Sequence, residues 1–278
     1  MSAHATPEMW TPVPLPEQVL ARESMAPISG TSLWFWDTGG EGPAVVLLHP
    51  GTGSGASWGY QQPVLAKAGY RVIGYSRRGH FQSAEGDPDN PGVASVDLNE
   101  LVDLLGIDEF HVLGLAAGGT VATDYALSHP DRLLSLTLAS TIMGVTDKSY
   151  IDLLTNLVRP SFFTSLPKDF QELGPSYRAG NPAGAAAWLK LEEEAISGKQ
   201  LTQKNANAIT WAAVETIRTP TLLLTGSADL YTPPSMLRLQ ASHLRHARVE
   251  IIEEAGHAPN WEQPDRFNAI LLDFLKRH

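Results

Sequence analysis

Short apolar runs and helical patterns alternate along most of the chain. Residues 44–49, AVVLLH, form a continuous apolar run of strand length, which is typical of a strand buried on both faces of a parallel sheet. Further strand-like runs lie at 70–75, 109–115, 133–139, 219–225 and 247–252, and helical patterns lie at 58–68, 95–105, 120–127, 234–244 and 263–276. This alternation predicts an α/β fold with right-handed crossovers and a mainly parallel sheet covered by helices.

The start of the chain has a different pattern. Residues 1–18 are punctuated by prolines and predict an extended N-terminal arm. Residues 19–26 and 31–37 are strand-like and predict an opening antiparallel pair. The first thirty residues show neither a basic start nor a continuous apolar run, so we expect no signal peptide or membrane span and a cytoplasmic location.

The alternation of strands and helices is interrupted once. Residues 140–216 have helical periodicity without a convincing buried strand, and we expect them to form a helical cap over the sheet. The core of the predicted fold is then built from residues 19–139 and 217–278. The cap is thus expected to be an insertion in one core domain.

Composition and charge narrow the classes of function. The chain has 278 residues, of which 43% are hydrophobic, so it can bury a full core. Thirty acidic and twenty basic residues give a formal net charge of -10, which argues against nucleic acid or an anionic membrane as a partner. There is no cysteine, which excludes disulfides, thiolate nucleophiles and zinc–thiolate sites. None of these properties predicts an oligomeric state.

The stretch 110–119, FHVLGLAAGG, predicts a strand, a tight turn and the start of a helix. Gly114 and Gly118 lie two residues on either side of Ala116, a spacing that lets the chain pass close to itself while the central residue is strained. Glycine costs about 1 kcal/mol relative to alanine inside a helix, so the glycines indicate a geometric requirement. A turn that only packs closely would show the same residues, and both interpretations stay open for this stretch alone.

An acidic and a basic side chain follow two successive strands near the end of the chain. Asp229 comes after the strand 219–225, and His257 comes after the strand 247–252. Parallel sheets bind ligands beyond the carboxyl ends of their strands, where a carboxylate can orient an imidazole. Taken separately, Asp229 could be a loop or capping residue and His257 a solvated loop residue. With the tight turn they stand in the order nucleophile, acid, base, which favours a catalytic triad.

Five motifs in the same order resemble those of the α/β-hydrolase superfamily, and the resemblance covers nearly all of the chain from about Ser24. GLAAGG is similar to the nucleophile elbow G-x-S-x-G-G, GSAD to the acid loop G-x-x-D, and AGHAPNWEQP to the ending G-H-x-x-x-x-E-x-P. HPGTGS resembles the oxyanion loop H-G-x-x-G-S, and SRRGHFQS resembles D-x-R-G-x-G-x-S. The resemblance implies an eight-stranded core sheet with a helical cap, a small-molecule substrate, and no cofactor or metal.

Departures from the family pattern change the expected chemistry. Ala116 stands where the family has its serine nucleophile, and without a hydroxyl the chain cannot form an acyl-enzyme. Pro50 replaces a glycine and has no N–H, which leaves the amides of Gly51 and Ala117 as candidates for the oxyanion hole. The loop 76–83 also departs from its pattern, and we expect it to be structural.

Two explanations of Ala116 compete. One is a serine-to-alanine substitution made to trap a substrate in an otherwise intact site, and the other is a natural protein that lost its nucleophile and binds a ligand without turnover. The retained Asp229, His257 and glycine-rich turn give no advantage to a pure scaffold, so they favour the engineered substitution.

With serine at position 116, the predicted enzyme is a hydrolase of a small to medium, fairly apolar ester or lactone. C–C bond hydrolysis and cofactor-free lyase or oxygenase chemistry are the alternatives within the superfamily. The substrate pocket is expected to contain Thr52 of the oxyanion loop together with aromatic residues of the cap. The candidate aromatic residues are Tyr150, Phe162, Phe163, Trp188 and Trp211.

Overall fold

The computed structural model describes residues 12–159, 161–196, 198 and 202–278. Within these ranges eight strands form one sheet: β1 Arg22–Ile28, β2 Thr31–Asp37, β3 Ala44–Leu48, β4 Arg71–Tyr75, β5 Phe110–Leu115, β6 Leu133–Ala139, β7 Thr221–Gly226 and β8 Arg248–Ile252. Their order across the sheet is β1-β2-β4-β3-β5-β6-β7-β8. β2 pairs antiparallel with both β1 and β4, and the other five pairings are parallel. The predicted eight-stranded, mostly parallel sheet is confirmed.

The central strands are buried on both faces, as their continuous apolar runs predict. All five residues of β3 are buried, and so are all six of β7. Side chains along β3 alternate between the faces, so that Val46 packs into one core cluster whereas Val45 and Leu47 pack into another. The sheet therefore separates two hydrophobic layers.

Helices close both layers. The α-helices of the described ranges are α1 Gln62–Lys67, α2 Ala94–Leu104, α3 Ala117–Ser128, α4 Lys148–Leu153, α5 Lys168–Glu172, α6 Pro175–Gly180, α7 Pro182–Ala195, α8 Trp211–Val214, α9 Pro234–His243, α10 Pro259–Glu262 and α11 Pro264–Leu275. Leu98 of α2, Val121 of α3 and Leu237 of α9 belong to one core cluster. Leu65 of α1 and Phe267 of α11 belong to the other. No helix in these ranges is both long enough and apolar enough to cross a membrane.

The helix predicted at 58–68 is shorter and starts later in the structure. A 3-10 helix at Gly55–Trp58 comes first, and α1 begins only at Gln62. Ser54 caps the 3-10 helix with its side chain, which favours a helix start three residues before the predicted one. Pro63 in the first turn of α1 favours a second start there, because proline fits the first turn of a helix.

The described part of the predicted N-terminal arm lies against the loop before α1. The Val13 carbonyl accepts a 2.7 Å hydrogen bond from the Tyr60 hydroxyl, and the Gln18 side chain donates to the Gly59 carbonyl at 2.8 Å. Residues 12–18 have no regular secondary structure, and residues 1–11 lie outside the described ranges. The first strand begins at Arg22, later than its sequence pattern predicts.

The loop 76–83 is held by buried contacts to its neighbours. Arg78 Nη2 and Asp97 Oδ1 are 2.7 Å apart, and both side chains are almost fully buried. The Ser83 hydroxyl donates to the Ser76 carbonyl at 2.7 Å, and the ring of Phe81 packs edge to face against Trp34. These contacts give the loop a packing function, in agreement with its expected structural role.

The chain between β6 and β7, residues 140–220, is called the β6–β7 segment below. Its described residues contain the five helices α4 to α8 and no strand of the sheet. A π-helical turn at Leu154–Val158 and a 3-10 turn at Phe163–Ser165 lie between α4 and α5. Isolated bridges join His80 to Ile196 and Val93 to Lys204, so the segment is attached to loops of the core.

Candidate active site

The turn between β5 and α3 has the strained geometry that its glycine spacing predicts. Ala116 joins the two elements with φ 50° and ψ -112°, a conformation that residues with a side chain rarely adopt. Its amide donates to the Ala139 carbonyl at 2.9 Å, and its carbonyl accepts from the Thr141 hydroxyl at 2.6 Å. These bonds hold the strained residue at the carboxyl end of β5.

Two glycines of this turn permit close backbone contact. A Cβ on Gly114 would lie 2.5 Å from the Gly118 carbonyl oxygen, and a Cβ on Gly118 would lie 2.0 Å from the Leu48 carbonyl oxygen. Both distances are far shorter than a non-bonded contact allows. The glycines are therefore required for α3 to begin directly against β3 and β5.

Asp229 follows β7, and its buried carboxylate is surrounded by donors. Oδ1 accepts from the amides of Tyr231 at 2.7 Å and Thr232 at 2.8 Å. Oδ2 accepts from the hydroxyls of Thr232 at 2.8 Å and Thr225 at 2.9 Å. Both oxygens lie 2.9 Å from Nδ1 of His257. Burial alone would raise the pKa of Asp229, but the facing His257 and the bonds from Thr232 outweigh burial and lower it to about 2.

His257 follows β8 and is held by contacts from three residues. Its backbone amide donates to the Glu172 carbonyl at 2.7 Å, and the Tyr231 ring lies 4.4 Å from the imidazole. Because Nδ1 faces the Asp229 carboxylate, the neutral imidazole carries its proton there and Nε2 is the acceptor. Burial alone would lower the pKa of His257, but Asp229 and Glu172 raise it above its ordinary value of 6.5. The pair can act as a base oriented by a carboxylate.

The peptide between Pro50 and Gly51 is oriented by donors to its carbonyl. His49 Nε2 accepts from the Arg77 amide at 3.0 Å, so Nδ1 carries the proton and donates to the Pro50 carbonyl at 2.7 Å. Burial lowers the pKa of His49, which keeps the imidazole neutral in this role. The Arg77 guanidinium donates to the same carbonyl at 3.0 Å. In a trans peptide the N–H points opposite to the C=O, so the Gly51 amide is directed away from His49 and Arg77.

A cavity of about 350 Å³ brings the central site residues together, and Ala116, His257, Gly51 and Ala117 all line it. Ala117 is the first residue of α3, and the N–H of a first helical residue has no acceptor within its own helix. A cavity of this volume suits a small ligand. The described ranges bring together no group of three or more histidine, aspartate or glutamate side chains that could hold a metal ion.

Several lining residues of this cavity were not indicated by the sequence. They are Thr120, Ser140, Ile142, Arg159, Glu172 and Tyr231. The position of Tyr231, two residues after Asp229 in a loop that leaves a strand, was a usable signal. Arg159 and Glu172 gave no such signal because they lie in the β6–β7 segment, where helical periodicity does not tell which side chains reach the sheet edge.

The predicted pocket residues are placed differently from expectation, with one exception. Thr52 lines the cavity, whereas its described lining includes none of the five predicted aromatic residues. Trp188 lines a much smaller space beside Thr52. Phe163 packs edge to face against Tyr231 at 4.8 Å and so supports a lining residue, while Phe162 is 60% exposed.

Tyr150 and Trp211 form a separate cluster. Their ring centroids are 4.9 Å apart, and the Trp211 ring stacks on His243 at 4.1 Å. The Tyr150 hydroxyl accepts from the Gln240 side chain at 2.9 Å. Both residues line a different depression from the one at Ala116. These aromatic side chains therefore pack α4 and α8 against α9. In the sequence, an aromatic residue that packs helices together looks the same as one that lines a pocket.

Known proteins resemble the chain in both sequence and fold. A model of the Alpha/beta hydrolase family matches residues 45–270. The 2-hydroxy-6-oxononadienedioate/2-hydroxy-6-oxononatrienedioate hydrolase 2 of Pseudomonas putida is 30% identical over 274 residues, which cover 88% of this chain and 91% of that protein.

Two solved structures share the fold. The enol-lactonase from Burkholderia xenovorans LB400 has a TM-score of 0.71 and 24% identity, with 91% of this chain and 100% of that chain covered. The esterase EaEST from Exiguobacterium antarcticum has a TM-score of 0.74 and 22% identity, with 90% and 97% covered. With the family match over most of its length, the chain belongs to the alpha/beta hydrolase family.

Proposed function

We propose that the chain with serine at position 116 is a cofactor-independent serine hydrolase of a small to medium, fairly apolar ester or lactone. The Ala116 form is then inactive or nearly so. The observation that carries the proposal is the 2.9 Å contact of Asp229 with His257 in the cavity that Ala116 lines. An imidazole base of this kind activates a serine hydroxyl. In the proposed enzyme, the strained turn at position 116 holds that hydroxyl in the cavity.

In the proposed reaction, the serine hydroxyl attacks the substrate carbonyl while Nε2 of His257 accepts its proton. Asp229 holds the Nδ1 proton and stabilises the imidazolium. The amides of Gly51 and Ala117 donate to the oxyanion, and the imidazolium returns the proton to the leaving group. Water then repeats the sequence on the acyl-enzyme and releases the acid.

Two further parts of the proposal concern the chain itself. Residues 140–216 act as a cap, which is supported by Arg159 and Glu172 from this segment in the cavity lining. Ala116 is a substituted serine, which is supported by a strained conformation that alanine gains nothing from adopting. A cytoplasmic location and the lack of nucleic-acid and membrane partners remain predictions from the sequence.

The direct test is Ala116→Ser, assayed on a panel of p-nitrophenyl esters and lactones. We expect turnover that the Ala116 protein lacks, because the substitution supplies the only missing group of the triad. Ala116→Ser combined with His257→Gln is the matched control and should return the rate to that of the Ala116 protein. If Ala116→Ser shows no activity above the Ala116 protein across the panel, the ester or lactone assignment is wrong.

A second candidate is C–C bond hydrolysis, favoured by the name of the 30% identical relative from Pseudomonas putida. The same base and oxyanion donors would serve this reaction, since it also passes through an oxyanion at a carbonyl carbon. A chromophoric dienol-diketone substrate discriminates between the candidates. Its consumption by Ala116→Ser, with the ester and lactone panel blank, would favour the second candidate.

A third candidate is a ligand-binding protein without catalysis, favoured by Ala116 itself. It predicts that the native gene encodes alanine at this position and that a ligand binds tightly without turnover. A serine codon in the native gene would eliminate this candidate and establish the substitution.

A further inference from the structure

Arg159 is a cation in the wall of the candidate active site. It follows the π-helical turn Leu154–Val158 of the β6–β7 segment and lines the cavity together with Ala116 and His257. Its guanidinium carbon lies 4.8 Å from the centroid of the Tyr231 ring, and that ring in turn lies against the imidazole of His257. The Tyr231 ring therefore lies between this cation and the candidate base, His257.

Within the described ranges, no residue forms a hydrogen bond with the guanidinium of Arg159. Nε of Arg159 is buried and donates to no described residue, and no described carboxylate forms an ion pair with it. Burial lowers the pKa of Arg159, because the charged guanidinium loses part of its hydration. The contact with the Tyr231 ring offsets a part of that cost, since a cation over a ring face is stabilised by its electrostatic attraction to the ring.

The two acidic residues whose charges act on Arg159, Asp229 and Glu172, do not supply the missing partner. Asp229 already accepts four hydrogen bonds from its own loop and from Thr225, besides its contact with His257. Glu172 lines the same cavity, but it forms no hydrogen bond or ion pair with Arg159 in the described ranges. Arg159 is thus a partly buried guanidinium in the cavity wall, without a carboxylate partner among the described residues, and such a group can bind an anion that enters the cavity.

A second orphaned group lies in the same wall. Ser140 is 1% exposed, has φ 47°, and its hydroxyl has no hydrogen-bonding partner among the described residues. It lines the cavity with Arg159. Ser140 therefore adds a second polar group to this wall of the cavity.

We propose that Arg159 binds a carboxylate that the substrate carries away from the reacting carbonyl. The inference rests on the proposed hydrolase function and sharpens it, since the substrate becomes an anionic ester or lactone in an otherwise apolar pocket. The planar guanidinium fork matches the two oxygens of a carboxylate. A phosphate dianion suits the site less well, because Arg159 is the only arginine or lysine among the described residues that line the cavity, and it balances only one negative charge.

The Ala116 protein is itself the reagent for the test, because it can bind an ester without consuming it. The probes are the monomethyl esters of the dicarboxylic acids from succinic to suberic acid, each paired with the neutral ester in which the free acid is an amide. Dissociation constants are measured by titration calorimetry. We expect the carboxylate of the best-fitting pair to bind about tenfold to a hundredfold more tightly than its amide.

Substitutions assign the preference to one side chain. Arg159→Met should reduce it to less than about twofold while the amide binds as before, and Arg159→Lys should keep a part of it, because lysine retains the charge without the fork. Arg178→Met is the matched control. Arg178 also has buried unpaired nitrogens, and its guanidinium lies 3.6 Å from the Phe170 ring centroid, but it is not among the described residues that line the cavity. Its substitution should leave the preference unchanged.

The outcomes separate this inference from the hydrolase proposal. A preference that is missing in the Ala116 protein, or that persists in Arg159→Met, overturns the inference. If Ala116→Ser hydrolyses neutral esters while no carboxylate preference exists, only the inference fails. If Ala116→Ser is inert on every ester and lactone while the Arg159-dependent preference is measured, the anion site is supported and the hydrolase assignment fails.

Discussion

At the scale of single residues, Asp229 sets both the tautomer and the pKa of His257. Its carboxylate is 2.9 Å from Nδ1, and together with Glu172 it outweighs the effect of burial on the imidazole, so that the pKa of His257 is raised. His257 must be neutral to accept a proton, so activity in Ala116→Ser should fall as the pH falls through the raised pKa. We therefore expect the acid limb of the kcat/KM profile to lie above pH 6.5, the ordinary value for histidine.

Asp229→Asn tests that relation. It removes the charge that raises the pKa of His257, so the acid limb should move to lower pH. The rate of Ala116→Ser should also fall by about 10⁴-fold, the loss seen when a triad carboxylate is replaced by an amide. The pH profile decides the interpretation, because a variant that was merely misfolded would lose rate without shifting its limb. An unshifted limb in the folded variant would contradict the assigned role.

The strain at Ala116 should be measurable as stability. A non-glycine residue in a sparsely populated backbone region costs on the order of 1–3 kcal/mol, and glycine relieves that cost at a penalty of roughly 0.5–1 kcal/mol in chain entropy. Ala116→Gly, at φ 50°, should therefore raise the free energy of unfolding by about 1 kcal/mol in urea titration. Ala126→Gly, the same change inside α3, should lower it by about 1 kcal/mol. A less stable Ala116→Gly protein would show that the turn is not strained.

At the scale of elements, one buried carboxyl group joins three parts of the chain. Glu262, at the end of α10, accepts from the amide of Gly174 in the β6–β7 segment at 2.9 Å and from the amide of Gly256, beside His257, at 2.9 Å. The amide of His257 itself bonds to the Glu172 carbonyl. This arrangement explains the glutamate of the G-H-x-x-x-x-E-x-P ending, since it ties the histidine loop to the segment above it.

Glu262→Ala should therefore be strongly destabilising. It leaves the buried amides of Gly174 and Gly256 without acceptors, and each unsatisfied buried donor costs about 1–3 kcal/mol. We expect a loss of about 2–5 kcal/mol in the free energy of unfolding, measured by urea titration. Glu254→Ala is the control, because Glu254 also bonds to the β6–β7 segment, through Ser176, but is exposed. Equal losses in the two variants would refute the role of burial.

At the scale of the whole molecule, the sheet was the part most readable from the sequence. Strands buried on both faces are rich in apolar residues, and β3, β5 and β7 are such strands with every residue buried. Helix starts were less readable, because a capping residue such as Ser54 and a proline such as Pro63 divide what periodicity presents as one helix.

Some residues of the candidate site could be predicted from the sequence, and others could not. Ala116, Asp229 and His257 each lie at or shortly after the carboxyl end of a strand, so their common location at one edge of a parallel sheet follows from chain order. Arg159 and Glu172 reach that edge only through the packing of the β6–β7 segment, and nothing periodic in the sequence marks them. The charged residues on this wall of the cavity are therefore visible only in the tertiary structure, whereas the sequence indicated Thr52 and aromatic residues of the cap.

The donors around Pro50 polarise the peptide unit between Pro50 and Gly51 in the oxyanion loop. His49, Arg77 and the amide of Gly53 all donate to the one Pro50 carbonyl oxygen. Each bond withdraws electron density from the peptide unit, and the N–H at its other end, that of Gly51, becomes more strongly polarised. Proline has no N–H, so Pro50 cannot donate to the oxyanion. In the proposed mechanism, the stronger polarisation of the Gly51 N–H compensates for this missing donor, and it is produced by side chains that do not contact the substrate.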